Sequence, residues 1–396
     1  MYIDKKMAIL DFFRKQTPTP TPPPTPTVEK LQTTVVSINL SNSDFPSITE
    51  VKNKDWVMFG TNNNYPDTLI DLYNSSSIHQ SIVTQKSKMI AGGGYTIDES
   101  TLTFEQKVEV EKMLRFFSDG KDIQNFIDLI SGDWELFGAC SIEVIWSKDF
   151  SRVVKVNRVN PRYIRSGKFV DGKVEEYYFS DNWTNTRTNP PVRIPAFSIT
   201  NKTDYTQMMY FKKYNPSQEY YGTPGYISST NWILADSQIG VYHNNNISNG
   251  FAPGVSINFM KKPASNEEKD IIVGELKRQY QGARNAGKPL VFFSDGPDNR
   301  TIIEQIGASD LDKQFTVIHE QIVTQICSGH RVTSTELFGI AVAGRLGNAD
   351  ITSAYNIFEK TVINPERQTI QRIINDIFLL NALPVDFKLI PLNILV

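Results

Sequence analysis

LDKQFTVIHEQIVTQICSG, residues 311–329, runs straight into HRVTSTELFGIAVAGRLGNAD, residues 330–350, and the rest of the chain is arranged around this stretch. Leu311, Phe315, Ile318, Ile322 and Ile326 recur at steps of three and four, the apolar stripe of one helical face, while Lys313, Glu320, Gln321 and Thr324 line the other. Ser328 and Gly329 end that pattern. The segment that follows carries Gly339, Gly344 and Gly347, which permit a mobile or sharply turned backbone. A second helical pattern begins near Ile351. A helix, a polar-tipped glycine loop and another helix fit a lid, a gate or a plain connection, and the stretch carries no obvious catalytic group.

The bulk numbers narrow the choice. A chain of 396 residues with 40% hydrophobic content can bury a core divided among two or three lobes. A formal net charge of -2 argues against gripping nucleic acid by general basicity, because such binding rests on phosphate neutralisation. Cys140 and Cys327 are isolated within apolar patterns, which predicts buried free thiols in a reducing compartment. The opening MYIDKKMAILDFFRK is interrupted by Asp11 and Arg14, too soon for a signal-peptide core or a membrane span, so a soluble chain of cytoplasmic origin is expected.

Residues 17–27, TPTPTPPPTPT, favour polyproline II, a semi-stiff spacer of about 3 Å per residue. It separates a short helix pattern at Met7 to Lys15, either a tethered docking peptide or a frayed terminus, from a body that begins with a strand pattern at Thr33 to Leu40. Helical spacing then runs through Leu69, Ile70 and Tyr73, and again through Ile78, Ile82, Val83, Met89 and Ile90. Gly92 to Gly94 follow a helix and precede a strand, the reverse of a phosphate cradle, and read as a helix stop. A charged amphipathic helix at 104–118, and an apolar one in NFIDLISGDWELFGACSIEVIW that runs through Gly138 into a strand, lead into alternating β segments, RVVKVNRVNPRYIR and FVDGKVEEYYFS. The lobe to about Phe211 is α+β.

After the turn in EYYGTPGY a polar helix is predicted from Tyr226 to Ile247, with Trp232, Ile239 and Tyr242 available for packing and Asn244 to Asn246 facing solvent or a neighbouring subunit. Between it and residue 311 lies a small α/β insert: strand VSINF, helix NEEKDIIVGELKRQYQG, strand KPLVFF, turn SDGPDNR and strand TIIEQI. GARNAGKP within it places Gly282, Gly287 and Lys288 at phosphate-loop spacing. Pro289 stands where Ser or Thr would hold Mg²⁺, and the order is helix then strand, so the segment reads as a turn. His319 and Glu320 start a zinc-protease pattern that Val323 breaks, and His79, His243, His319 and His330 with two isolated Cys form no metal cluster in sequence. No catalytic residue, metal ligand or cofactor is therefore assigned. A nucleotide-dependent enzyme built on GARNAGK is the alternative of another class, to be tested by ATP hydrolysis and its loss in Lys288→Ala.

Two helices flanking a small α/β insert, the second followed by a glycine-rich loop and a further helix, resemble the portal (head-tail connector) proteins of tailed bacteriophages, in particular the shorter siphophage-type branch. The resemblance runs from about Tyr73 to Asp376, through YNSSSIHQSIVTQKSKMIAGGGY, LFGACSIEVIW with NRVNPRYIR, YYGTPGY, SNGFAPG, KPLVFF and the 311–350 region. Each motif is weak alone, and their shared order is specific. It implies a portal fold: a flexible arm at 1–27, a wing at 28–225, a first stem helix at 226–247, a clip at 248–308, a second stem helix at 309–329, a tunnel loop at 330–350 and a kinked helix returning to the wing at 351–396. Pro365 would sit at the kink or in the first turn of a new helix capped by Asn364. Two departures stand out: Val332-Thr333 occurs where many relatives have Val-Pro, and the chain stops soon after VDFKLI, leaving a minimal or absent crown.

The same resemblance implies a homo-oligomeric ring, a dodecamer, at one capsid vertex of the virion, assembled in the host cytoplasm, with no membrane. Double-stranded DNA would pass through its channel during packaging and ejection, and terminase, the major capsid protein and head-completion or adaptor proteins would dock on it. A channel lining that lets DNA slide should be near-neutral, because DNA carries one charge per about 1.7 Å of axis and a basic wall would hold it. Arg345 at the loop tip is the leading phosphate contact, or else pairs with Glu336 or Asp350 of a neighbouring subunit. Arg331, Lys313, Asn348 and Glu320 complete the DNA-facing set, and Lys277, Arg278, Arg284 and Lys288 are the clip's candidate partner contacts. Another phage structural component, such as a minor head or baseplate protein, remains as a further alternative.

Overall fold

A computed structural model describes residues 46–115, 117, 122–202, 204–248, 255–258, 271, 302–305, 311–340 and 348–392. The helix at Met7 to Lys15, the strand at Thr33 to Leu40, most of the 259–301 insert and residues 341–347 lie outside them.

The first described strands, β1 (Ile48–Glu50) and β2 (Val57–Phe59), form an antiparallel pair. Two helices follow, α1 (Tyr65–Ser75) and α2 (Ser77–Ala91). Ser76 caps α2, its Oγ accepting from the His79 backbone N–H, and the helix buries Ile78, Ile82, Val83, Met89 and Ile90, the five residues of its apolar stripe. Each is worth roughly 1.5–3 kcal/mol of burial. Gly92, at φ 77°, stops the helix: a Cβ there would lie 2.2 Å from the Ile390 carbonyl oxygen. The chain turns into β3 (Tyr95–Asp98), whose antiparallel partner is β14 (Asp386–Leu389), the VDFKLI strand.

Helix α3 (Phe104–Leu114) opens on a capping box between Thr103 and Gln106. Helix α4 (Ile123–Phe137) is apolar on the face that packs against α2, and Gly138 ends it in the left-handed region. Strand β4 (Ala139–Trp146) leaves directly from that glycine and lies between β5 (Val153–Val159) and β11 (Thr206–Lys212) in an antiparallel sheet. A second three-stranded sheet has β9 (Glu176–Phe179) between β6 (Ile164–Ser166) and β10 (Val192–Pro195), and β7 (Phe169–Val170) with β8 (Lys173–Val174) forms the Asp171-Gly172 hairpin between them. Val159, Ile164, Tyr177, Ile194 and Met208 fill the space between the two sheets. The α+β expectation for this lobe is met.

Arg165 is fully buried in the same lobe, with no carboxylate among its described partners. Its guanidinium donates to Asn63 Oδ1 and O and to the carbonyls of Arg162 and Ile164, and it lies over the Trp183 ring at 4.8 Å. Desolvation draws its pKa down to about 10, which still leaves it charged at neutral pH.

Beyond Tyr226 a single 3₁₀ turn, Ile227–Ser229, feeds helix α5 (Thr230–Ser248). Strands β12 (Val255–Asn258) and β13 (Ile302–Gln305), the two ends of the insert, pair antiparallel, and helix α6 (Leu311–Gly329) packs against α5. A 3₁₀ turn at Thr335–Phe338 and helix α7 (Asn348–Phe358) follow. Five residues of π-helix, Glu359–Ile363, join α7 to α8 (Asn364–Leu379). Here one local expectation fails. Asn364 is not a cap: its φ −60° and ψ −42° are helical, and the π turn takes up the missing donor of Pro365 without ending the helix.

Candidate functional site

Much of the described surface of the helix pair α5–α6 is uncovered. Among the described side chains of α5, only Thr230 and Ile233 are buried, and Trp232, Ile239 and Tyr242 are half-buried. On α6, Ile322 and Ile326 are buried together with Val323 and Cys327, which fits the apolar stripe at its body end. Toward the other end the stripe is open, with Ile318 40% and Val317 54% exposed. His319, Glu320, Gln321, Thr324 and Gln325 are also exposed. Over residues 317–328 Glu320 is the one carboxylate and no Lys or Arg occurs, so this surface is polar, apolar in patches and near-neutral.

The body end of the pair is fastened in layers. Ser229 Oγ, at the entry to α5, donates to the Gln325 carbonyl of α6 at 2.9 Å, and Gly329 is required beside it because a Cβ there would lie 1.9 Å from that Oγ. Next come three rings from three segments. His79 Nδ1 and His330 Nε2 share a hydrogen bond of 2.9 Å, and Tyr226 stacks on His330 at 4.9 Å and meets His79 edge-on at 4.4 Å. The Tyr226 hydroxyl donates to the Leu136 carbonyl at 2.6 Å. All three rings are buried.

Behind the rings lies a buried ion network. Glu135 Oε2 accepts from Lys86 at 2.6 Å and its Oε1 from Lys213 at 2.6 Å, and Lys213 also reaches Glu366 Oε1 at 3.1 Å. Trp134 Nε1 donates to Glu366 Oε2 at 2.6 Å. Burial alone would push the Glu135 carboxyl up, but Lys213 and Lys86 hold it well below the usual carboxylate range. The network joins α2, α4, the end of β11 and α8. Nearby, LFGA and YYGTPGY meet backbone to backbone: a Cβ on Gly138 would lie 2.3 Å from Thr223 C, and one on Gly222 would lie 2.1 Å from Gly138 O.

The loop after α6 is tied down as far as it is described. Arg331 sits at φ 60° with its exposed guanidinium donating to the Thr361 carbonyl at 3.3 Å. Thr333 Oγ1 donates to the Ala354 carbonyl at 2.9 Å, a side-chain bond that a proline at this position could not make. Ser81 Oγ donates to the Phe338 carbonyl at 2.7 Å.

The predicted site residues are thus dispersed. Glu320 lies on the exposed face of α6, Arg331 at its base, and Lys313 and Asn348 within α6 and α7, their side chains outside the described residues. Arg345, Lys277, Arg278, Arg284 and Lys288 lie outside the described residues, as does GARNAGKP. Sequence reasoning missed the histidine pair and the ion network. Lys86 and Glu135 did carry a signal, each being a charge set within an apolar helical pattern. Among the described residues no group of three or more His, Cys, Asp or Glu is placed to hold a metal ion, and no helix is long and apolar enough to cross a membrane.

No family model matches the chain. A curated relative, a "probable portal protein" of Haemophilus phage HP1 (strain HP1c1), is 25% identical over 187 residues, 47% of this chain and 53% of that protein. The chain therefore spans about half the length of the curated relative it matches. Among solved structures, a chain in the neck of an empty gene transfer agent (GTA) particle, computed with C6 symmetry, aligns with TM-score 0.55 at 15% identity over 82% of this chain and 83% of that one. A chain in the neck of the native GTA particle, computed with C12 symmetry, aligns with TM-score 0.53 at 15% identity over the same shares. In sequence, over those 187 residues, the chain resembles a phage portal protein, and in fold, over most of its length, it resembles chains of GTA particle necks.

Proposed function

We propose that the chain is a portal protein: copies of it assemble into a ring-shaped channel at one capsid vertex, through which double-stranded DNA is packaged and later ejected. The observation that carries this reading is the helix pair itself. α5 and α6 are secured to the body at one end, joined by an inserted module at the other, and left with uncovered apolar and near-neutral polar surface between. A lone protomer gains nothing from exposing Val317 and Ile318, whereas ring neighbours would cover them. The likeness to particle necks computed with C12 and C6 symmetry supports a ring, for which we propose twelve subunits.

In this assignment residues 28–225 are mostly wing, 226–247 and 309–329 the stem helices, 248–308 the clip and 330–350 the tunnel loop. A wall with one carboxylate and no Lys or Arg over residues 317–328 favours sliding over grip. Arg345 makes the transient phosphate contact, with Arg331 and Lys313 as weaker ones and Asn348 and Glu320 facing the channel. Lys277, Arg278, Arg284 and Lys288 face terminase, head-completion proteins or adjacent subunits, and the wing contacts the major capsid protein. The protein's place is then the portal vertex of the virion, its role structural and without a cofactor.

Deleting Arg345 to Asn348 tests the channel assignment. Rings should still assemble while DNA packaging or retention falls. Particles that carry the deletion and hold a normal amount of DNA would contradict a tunnel-loop role.

A further inference from the structure

The histidine pair lies where both stem-like helices meet the body. His79 is the third residue of α2, Tyr226 stands four residues before α5, and His330 follows the last residue of α6. Their three rings form one contact, so the body end of the pair is held to α2 through an imidazole–imidazole hydrogen bond.

That bond requires uncharged rings. A neutral pair holds one N–H between His79 Nδ1 and His330 Nε2, leaving one lone pair and one N–H on the outer nitrogens, His79 Nε2 and His330 Nδ1. Both outer nitrogens are buried and make no hydrogen bond to any described residue. A proton added on the outside therefore creates a buried charge with no acceptor, and a second removes the lone pair on which the shared bond depends.

Among the surroundings only Glu135 favours a charge, and only on His330, where burial, His79 and Lys86 outweigh it. On α2, Lys86 faces the pair, and the helix N-terminus beside His79 repels a cation. From α4 comes Glu135, already committed to Lys86 and to Lys213 at the end of β11, which in turn holds Glu366 of α8. The Tyr226 phenol is kept neutral by burial, Tyr73 of α1 touches His79 edge-on, and Asp236 of α5 accepts from the Ser76 hydroxyl. Burial first, and then Lys86, draws His79 down to about 3; burial, His79 and Lys86 draw His330 well below its ordinary value.

The geometry points to a protonation-operated latch: proton uptake by the buried His79–His330 pair in the mildly acidic range releases the body end of the α5–α6 helix pair from α2. The inference holds whether or not the chain forms a ring. A histidine depressed in the closed joint contributes stability that is full above its free value of about 6.5 and is lost as pH falls. With a closed value of about 3, His79 alone weakens the joint about thirtyfold at pH 5 and hardly at all at pH 7.5. Glu135, a carboxylate held low, loses its contribution only below about 4.5, so the window from 6.5 to 5 isolates the histidines.

The test uses the full-length protein. Amide hydrogen exchange, corrected for the intrinsic pH dependence, is followed from pH 7.5 to 5 at residues 326–332 and 77–82, with β4 and β5 as reference, in the wild type and in His79→Phe/His330→Leu. Protection at the joint should fall about thirtyfold or more in the wild type, stay level in the variant, and stay level in β4 and β5 of both. Exchange at the imidazole C2–H, with a histidine-containing model peptide as standard, is read on the wild type alone and decides the matter should the variant fail to fold. His79 and His330 should resist titration until amide protection is lost. Unchanged protection at the joint down to pH 5, an equal loss in wild type and variant, or His79 and His330 imidazoles that titrate at about 6.5 with the joint still protected would overturn the latch.

Discussion

The two ends of α6 follow opposite rules. At Ile322 to His330 the inward side is tightly held: Ile322, Val323, Ile326 and Cys327 are buried, Ser229 closes on the Gln325 carbonyl, His330 on His79, and the Lys86–Glu135–Lys213–Glu366 network lies behind them. At Val317 to Gln321 the same helix presents five exposed residues in a row, two of them large and apolar. A helix that keeps one end rigid and the other uncovered is stabilised from the body and completed from elsewhere. The difference separates what folds the chain from what the chain is for.

Glu135→Ala should break the rigid end most severely. Two buried ammonium groups would lose their shared carboxylate, at a cost of about 3–5 kcal/mol in chemical denaturation at pH 7. Because the carboxyl is held low in the folded protein, the gap between wild type and variant should be full above about pH 4.5 and shrink as pH falls further. Gly138→Ala comes next, at about 3 kcal/mol, since φ 69° and the contact with Thr223 backbone leave a Cβ no room. Gly329→Ala should cost about 2 kcal/mol, because Ser229 Oγ would have to give up its bond to Gln325 and Ser229 Cβ, 2.7 Å from the new methyl, would still have to shift. Thermal or urea unfolding measures both. Smallest on this scale is Ile318→Asp, within about 0.5 kcal/mol for the isolated chain. That same change should abolish ring formation in size-exclusion chromatography with light scattering. A large loss of chain stability, or rings of normal yield, would dissolve the contrast between the two ends.

Much of the rigid scaffold was legible in residue spacing. The stripe Ile78, Ile82, Val83, Met89 and Ile90 became a buried helical face because a 3.6-residue period has one low-energy way to hide its apolar side. Gly92 and Gly138 stopped helices where a side chain would strike distant backbone, and Cys140 and Cys327 are free and buried. The partners were not legible. β3 pairs with β14 across nearly 300 residues, and His79 meets His330 across 251, separations at which no local pattern carries information. The π turn at Glu359–Ile363 also escaped, because Asn364-Pro365 reads locally as a capped start and only tertiary fastening keeps the helix continuous. Arg367 supplies that fastening, bonding Glu359 and the Met89 carbonyl from a buried position. The candidate DNA-facing residues were chosen by chemistry and order along the chain, and Arg331 shows the limit of that choice: its guanidinium already holds the Thr361 carbonyl.

The uncovered face of α6 is what ring neighbours would have to cover. A cryo-electron reconstruction of the purified full-length protein should show a closed ring in which Val317 and Ile318 are buried against the neighbouring subunit and Glu320 faces an open axial channel. Monomers under all assembly conditions, or a ring whose channel is lined by other elements while 317–321 faces outward solvent, would contradict this arrangement.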